Sequence, residues 1–371
     1  MSRYEVVIKS DTGITIPNGI MTRFSKLVAG RADRCYVPIE IVIPQDEERY
    51  PVGTFKKDMI IELWREQNDT MVLDGETCYF LRGWKYYKSG GKDLIYLKGY
   101  DSNYLLDGRE VEYNAGSDEA AKTDVACDMM KEIVDENFVS ATDTDRNLAA
   151  TLLTIQADDG QGATVTDAFS RQYVYPLLQK ICNQSREAGT WVTFDTYYSG
   201  TLPLEFRTYV NQRGADLTDS LLLSAESGNI ANPVLDEDYT DEITVAYVAG
   251  KGVEDERIVG SASNTTRLNQ SVWSRREFIT ENFQLDVEAS CDSAAQVALD
   301  KYAPRIYFSG EIVETVGTQY GINWNYGDKI RARYLDYEFD CMVLAYLIEY
   351  GENDGKITDK VTATIRGEIE A

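Results

Sequence analysis

Three groups of side chains in this 371-residue chain have types and spacings that could do chemistry. Asp101, Asn103 and Asp107, in "GYDSNYLLDG", present alternating oxygens of the kind that ligate calcium. The run lacks the glycine and terminal glutamate of a calcium loop, so turn chemistry is the expected use. The acids Asp158-Asp159 and Asp236-Glu237-Asp238 are adjacent in sequence and read as solvated loop residues. Glycosidase chemistry needs two carboxyls held at a set separation, and among sixty-two acids no pair is singled out. The stretch "WKYYKSGGKDLIYLKGYDSNY" offers aromatic faces that could stack on sugar rings. On a strand, however, tyrosine is simply a well-suited half-buried residue.

Composition removes other chemistries. The chain has no histidine, which excludes a Ser-His-Asp triad, a Cys-His pair and His-ligated zinc. Its six cysteines, at 35, 78, 127, 182, 291 and 341, contain no Cys-x-x-Cys pair and read as buried free thiols. No catalytic residue, cofactor or metal is therefore expected. A net charge of -25 repels a phosphate backbone, and the basic clusters "FKKD" and "SRRE" each run straight into an acid. The first residues lack the plan of a signal peptide and no apolar run approaches eighteen residues, so assembly in a cytoplasm and no membrane insertion are expected.

The elements that must position these residues fall into three textures. Residues 1 to 113 alternate in the strand period through "YEVVIKS", "CYVPIEIVI", "DMIIELW", "ETCYFLRGWKYY" and "DLIYLKG", the last stopping at Gly99. Asp74-Gly75 and Gly90-Gly91 read as hairpin turns. A helix is expected from a Ser117 cap, with Ala121, Val125, Met129 and Ile133 on one face. A second is expected with Phe169, Tyr173, Leu177 and Ile181 on one face and a kink at Pro176. Two strands then flank Ser199-Gly200. After Tyr239, "DEITVAYVAGKG", "SRREFITEN", a helix over "SAAQVALDKYAP", and the runs "RIYFSGEIVETV", "DKIRARYLDYEFDCMVLAYLIEYGEN" and "DKVTATIRGEIEA" return the chain to strands.

The strings "VAYVAGKGVEDERIV", "SVWSRREFITEN" and "TQYGINWNYGDKIRARY", with "LKGYDSNYLLDGREV" earlier, resemble in order the baseplate hub family of long-tailed phages, over about residues 60 to 366. That family is related to the N-terminal hub part of tail-associated lysins. Two departures stand out: Asn325-Tyr326 precedes Gly327-Asp328 where an aliphatic residue is more usual, and residues 139 to 165 have no counterpart. The resemblance implies an α+β, mostly β fold, with two antiparallel β-barrel tube modules enclosing a helix-containing peripheral α/β module. The first barrel would span 1–113, the peripheral module 114–235 and 259–308, and the second barrel 236–258 and 309–371.

By position, Gly99 and Asp101 would end the first barrel, Gly250, Gly252, Glu254 and Arg257 would shape a loop, and Tyr320, Gly321, Gly327 and Asp328 would start a barrel strand. The implied function is a structural, non-enzymatic virion component, since lytic activity in this family sits on an extension and the sequence stops after its last strand. The implied assembly is a homotrimer whose six quasi-equivalent barrels meet the tail tube or a distal tail ring. The tape measure protein, tail fibres or receptor-binding proteins, and DNA passing without specific binding complete the expected partners. Acids of "DGETC" and "LDYEFD" are the expected lining of that passage. The alternative is a carbohydrate-binding or polysaccharide-cleaving tail protein.

Overall fold

The computed structural model describes residues 4–46, 48–112, 120–169, 172–353 and 356–370, and it is mostly β. The chain divides into two compact units, one of residues 1–232 with 310–366 and one of 233–309 with 367–371.

In the first unit, strands form where apolar residues alternate. In Pro38–Pro44, Ile39, Ile41 and Ile43 are buried while Glu40 between them is partly exposed. The sheet runs from Thr15–Met21 through Tyr4–Lys9, Ile60–Gln67, Tyr79–Ser89, Lys92–Asp101, Pro38–Pro44, Lys26–Ala32 and Tyr337–Asn353 to Lys356–Glu370. Arg305–Ile312 and Ile230–Asp238 continue the order, and in them the chain passes between units. Gly90 and Gly91 close the Tyr79–Ser89/Lys92–Asp101 hairpin with φ of 57° and 77°, as a two-residue turn requires. Asp74-Gly75 is not a hairpin. It lies in a 3-10 turn, and the two-residue turn is Asn68-Asp69, with φ of 48° and 61°, joining Ile60–Gln67 to Thr70–Leu73.

Strands from the two ends of the sequence share this sheet. Lys26–Ala32 pairs antiparallel with Tyr337–Asn353, Ala32 opposite Ala345 and Lys26 opposite Gly351. Among the described residues the strand order is an open path, and the two barrels implied by the resemblance are not seen as closed cylinders. Gly99 does not end its strand, which continues to Asp101. A Cβ there would lie 2.6 Å from the Phe80 carbonyl oxygen and 3.3 Å from Ile39. Gly99→Ala should therefore cost about 1–3 kcal/mol. Gly83→Ala, where a Cβ meets nothing within 4 Å, is the control. Equal urea midpoints for the two variants would contradict this account.

A helical layer completes the unit. The helices Ala126–Phe138 and Val174–Glu187 share a core with Leu153–Ile155, Val192–Tyr197 and Leu204–Val210, built on Met130, Ile133, Leu178, Ile181, Phe194 and Phe206. The first helix starts nine residues later than its expected cap, and Ser117 lies outside the described residues. Ala121 and Val125 belong instead to the strand Ala120–Val125, whose backbone pairs with Thr164–Phe169. Phe169 is likewise in a strand, and Tyr173 caps the second helix half-exposed. Pro176 does not kink that helix, because it sits in the first turn, where its missing N–H has no intrahelical partner to lose.

In the second unit, Val245–Ala249 pairs antiparallel with Val259–Ser263 and parallel with Glu277–Glu281. The helix Glu288–Lys301 lays Cys291, Ala295 and Leu299 over Ala246 and Val248. Pro304 follows its end, as the sequence leads one to expect.

Candidate functional site

The candidate site is a set of buried charges inside the first unit. Leu27, Ala29 and Arg31 alternate on one face of Lys26–Ala32, so a strand that buries its leucine must bury its arginine. Arg31 is 1% exposed and needs a fixed partner, because an isolated charge cannot be taken out of water cheaply. Asp195, on Val192–Tyr197 and equally buried, ion-pairs with it. Arg31 Nη1 also donates to the Gly75 carbonyl at 2.7 Å. Arg213 Nε donates to the other Asp195 oxygen at 2.9 Å and its Nη2 stands 3.2 Å from Glu76. The Tyr326 ring lies 5.3 Å from the Arg31 guanidinium and 5.1 Å from that of Arg213. An aliphatic residue at this position would give these cations no aromatic face.

Two further clusters repeat the pattern. Arg65 Nη1 donates to the Tyr320 carbonyl at 2.9 Å, and its guanidinium lies 4.1 Å from the Tyr320 ring centre. Its Nε is 3.4 Å from Asp74, which accepts from the Tyr346 hydroxyl at 2.6 Å. Glu62 takes Lys9 at 2.5 Å, the Tyr198 hydroxyl at 2.6 Å and the Trp64 indole N–H at 2.9 Å. Lys9 also donates to the Gly200 carbonyl at 2.9 Å. Each cluster ties the large sheet to the helical layer or to the 320–328 turn.

Protonation follows burial and pairing. Burial alone would raise the Asp195 carboxyl, and the Arg31 and Arg213 guanidiniums overcome this and hold it below its ordinary range. Burial would lower Arg31, and Asp195 instead holds it well above. Burial raises Asp74 despite the opposing pull of Arg65. Asp101 is pushed up to about 7 by burial, with Arg31 and the Val37 amide pulling the other way. Asp195 is held between two guanidiniums, Asp101 by two backbone amides and Asp74 by the Tyr346 hydroxyl beside Arg65, so each carboxylate fixes the position of the groups around it.

The residues singled out from sequence take the following places. Asp101 accepts from the Val37 amide at 2.8 Å and the Asn103 amide at 3.0 Å, capping the 3-10 turn Ser102–Leu106. Asn103 accepts from the Thr196 amide at 2.8 Å, and Asp107 from the Tyr36 hydroxyl at 2.9 Å. The three oxygen-bearing residues thus serve separate partners and do not converge on one point. Gly321 and Gly327 have φ of 77° and 82° and lie against Arg65 and Arg213, so this turn and the charge network meet. Asp328, raised by burial, accepts from the Ala215 amide at 2.7 Å and the Asn325 amide at 2.6 Å. In the second unit Gly252 has φ of 110° and Glu254 φ of 51°. A Cβ on Gly250 would lie 2.8 Å from Cys291 Sγ, and Arg257 pairs with Glu281 at 3.0 Å.

The other candidates are engaged elsewhere. Asp159 pairs with the buried Lys131 at 2.9 Å, and Asp236 to Asp238 end the strand Ile230–Asp238 and are not a loop. Tyr100 stacks on Tyr104 at 5.1 Å with Tyr36 edge-on to both, so these rings face one another. Asp74 is buried and cannot line a passage. Arg31, Glu62, Arg65, Asp195 and Arg213 were not singled out from the sequence. The one local sign, for Glu62 and Asp195, is a charge set in an apolar strand, as in "IIELW" and "VTFDTY", and Arg213 lies in the polar run "NQRGAD" and carries no such sign.

The sequence matches no protein-family model and no curated protein sequence. The fold does match solved structures. The 43 kDa tail protein of prophage MuSo2 from Shewanella oneidensis superposes with a TM-score of 0.53 at 10% identity, covering 97% of this chain and 98% of that one. The chain has the fold of prophage tail proteins. A tail protein from Neisseria meningitidis MC58 gives 0.50 at 13% identity over 98% and 96% of the two chains. Prophage tail protein gp18 from Listeria monocytogenes EGD-e gives 0.50 at 12% identity over 98% and 94%. In this instance of the tail-protein fold, the ion pairs lie in the same unit as the 320–328 turn quoted for the hub resemblance.

Proposed function

We propose that this chain is a structural baseplate hub of a phage tail and a component of the virion. The observation that carries the reading is the end-to-end likeness to prophage tail proteins, nearly complete on both chains. The buried ion pairs support it, since a part that transmits load gains from strands and helices locked in one register. Three copies, each contributing two β modules to a ring, would join a six-fold tail tube or distal tail ring to three-fold tip or adhesin proteins. The tape measure protein would end there and DNA would pass without specific binding, because a surplus of acids repels each phosphate.

The expected mass by light scattering, alone or with the tube protein, is that of a trimer; a stable monomer in both conditions rejects the ring. The same reading makes the protein non-enzymatic. Purified protein should release neither reducing ends from host polysaccharide nor muropeptides from peptidoglycan. Release abolished by a single carboxylate substitution would replace the structural reading with the polysaccharide-cleaving one.

A further inference from the structure

A recess of about 410 Å³ opens in the first unit. Its apolar wall includes Phe80, Leu105, Leu148, Leu152, Leu202 and Leu204. Asp11, Asp58 and Asp107 stand at it with one cation, Arg82, which is already ion-paired to Asp58. A volume of this order takes one large side chain or a small molecule and not a helix. The recess therefore asks for an apolar group with positive charge beside it.

The second unit presents such a group. Val272 is 89% exposed and Trp273 85% exposed, and Arg275 and Arg276 follow after Ser274. Tryptophan is rarely left so open on a soluble surface, and tryptophan and arginine are the residue types on which interface energy concentrates. The existing side-chain bonds of these arginines are weak ones at the surface: Arg275 meets Glu277 at 2.6 Å with both side chains about half exposed and donates to the Tyr247 hydroxyl at 3.1 Å, and Arg276 reaches the Thr240 carbonyl at 3.0 Å.

We propose that Trp273 of one copy seats in the leucine-lined recess of the next copy, with Arg275 and Arg276 set against Asp11 and Asp107. Different surfaces meet in such a contact, so it is heterologous and generates a ring when the rotation closes. The inference rests on the ring reading above and names the contact that would build it. Trp273 fills the recess, displaces its water and contributes the apolar burial. The arginines fix its orientation and speed encounter.

The experiment has two arms. Light scattering of the full chain and of Trp273→Ser, Leu148→Glu and Arg275→Glu/Arg276→Glu reads the oligomer, with circular dichroism and urea midpoints to show that each variant is folded. The first two should be monomers, and the double arginine reversal should dissociate at about tenfold or more higher concentration. Asp11→Lys should partly restore the reversed protein. In the second arm, a fluorescein-labelled peptide of residues 268–278 is titrated into Trp273→Ser protein, where the recess is empty. Its anisotropy should rise, and should not rise with Trp273→Ser/Leu148→Glu protein. A Trp273→Ser protein that keeps the wild-type ring overturns the contact and leaves the ring reading standing. A monomeric wild type rejects the ring, and the peptide arm then decides the recess alone: binding supports it, and none at millimolar peptide overturns it.

Discussion

Asp195→Asn is expected to destabilise the first unit by about 3–5 kcal/mol, the range for removing one partner of a buried charge set. Asparagine keeps the shape of the side chain, so the loss reports charge and not a cavity. Arg31 and Arg213 would be left beside the same Tyr326 ring, Arg31 with no carboxylate paired to it and Arg213 with only the exposed Glu76. Arg31→Met should cost less, since Arg213 still neutralises Asp195 at 2.9 Å. The order of the two effects is the informative result, read from urea unfolding followed by tryptophan fluorescence. If Asp195→Asn is the milder of the two, the carboxylate is not the centre of the network.

Lowering the pH from about 7.5 to 4.5 should raise stability by as much as about 4 kcal/mol, because a tenfold change in a carboxyl's proton affinity on folding is worth about 1.4 kcal/mol. The main source is Asp101, which titrates at about 7 in the folded chain and about 4 in the unfolded one. A carboxyl raised by folding contributes stability that is fully present below its unfolded value. That contribution is lost as pH climbs through its folded value. Asp33, Asp74 and Asp328 are raised, mainly by burial, and act in the same direction. Asp195 is lowered, so its contribution is lost only in stronger acid, below the ordinary carboxylate range. Relief of repulsion among surface acids adds to the trend, and added salt screens that part. Asp101→Asn should flatten the dependence at high salt. A midpoint that rises with pH across this window, or an asparagine variant with an unchanged slope, contradicts the assignment.

Much of the fold was legible where a local rule was strict. Gly90-Gly91 announces its hairpin because both positions need positive φ, and Ile39, Ile41 and Ile43 announce a strand by alternation. The rule failed at Ala120–Val125, where Ala121 and Val125 stand at helical spacing with Met129 and Ile133 and suggest a helix. Its hydrogen-bonding partner, Thr164–Phe169, lies far along the chain and overrides that preference. The charge network was hidden for the same reason. Arg31 and Asp195 stand 164 residues apart, and neither strand alone shows what neutralises its charge. The tail-protein fold was reached through the order of several short resemblances, "TQYGINWNYGDKIRARY" the last of them, whereas the side chains that brace that turn, Arg65 and Arg213, lie outside every one of these strings.

The pairing of Lys26–Ala32 with Tyr337–Asn353 also sets the order of events during synthesis. Lys26 leaves the ribosome early and waits for Gly351, roughly tens of seconds later at about 5–20 residues per second. Through that interval the strand holds one side against Pro38–Pro44 and offers the other, unpaired, to any extended segment nearby. Growing chains on one polysome carry the same open edge at high local density. Nascent chains halted before residue 337 should therefore associate edge to edge, and those released after residue 353 should not. The strand that unites distant parts of the sequence thus leaves the newborn chain with an unprotected edge until Tyr337–Asn353 has been made.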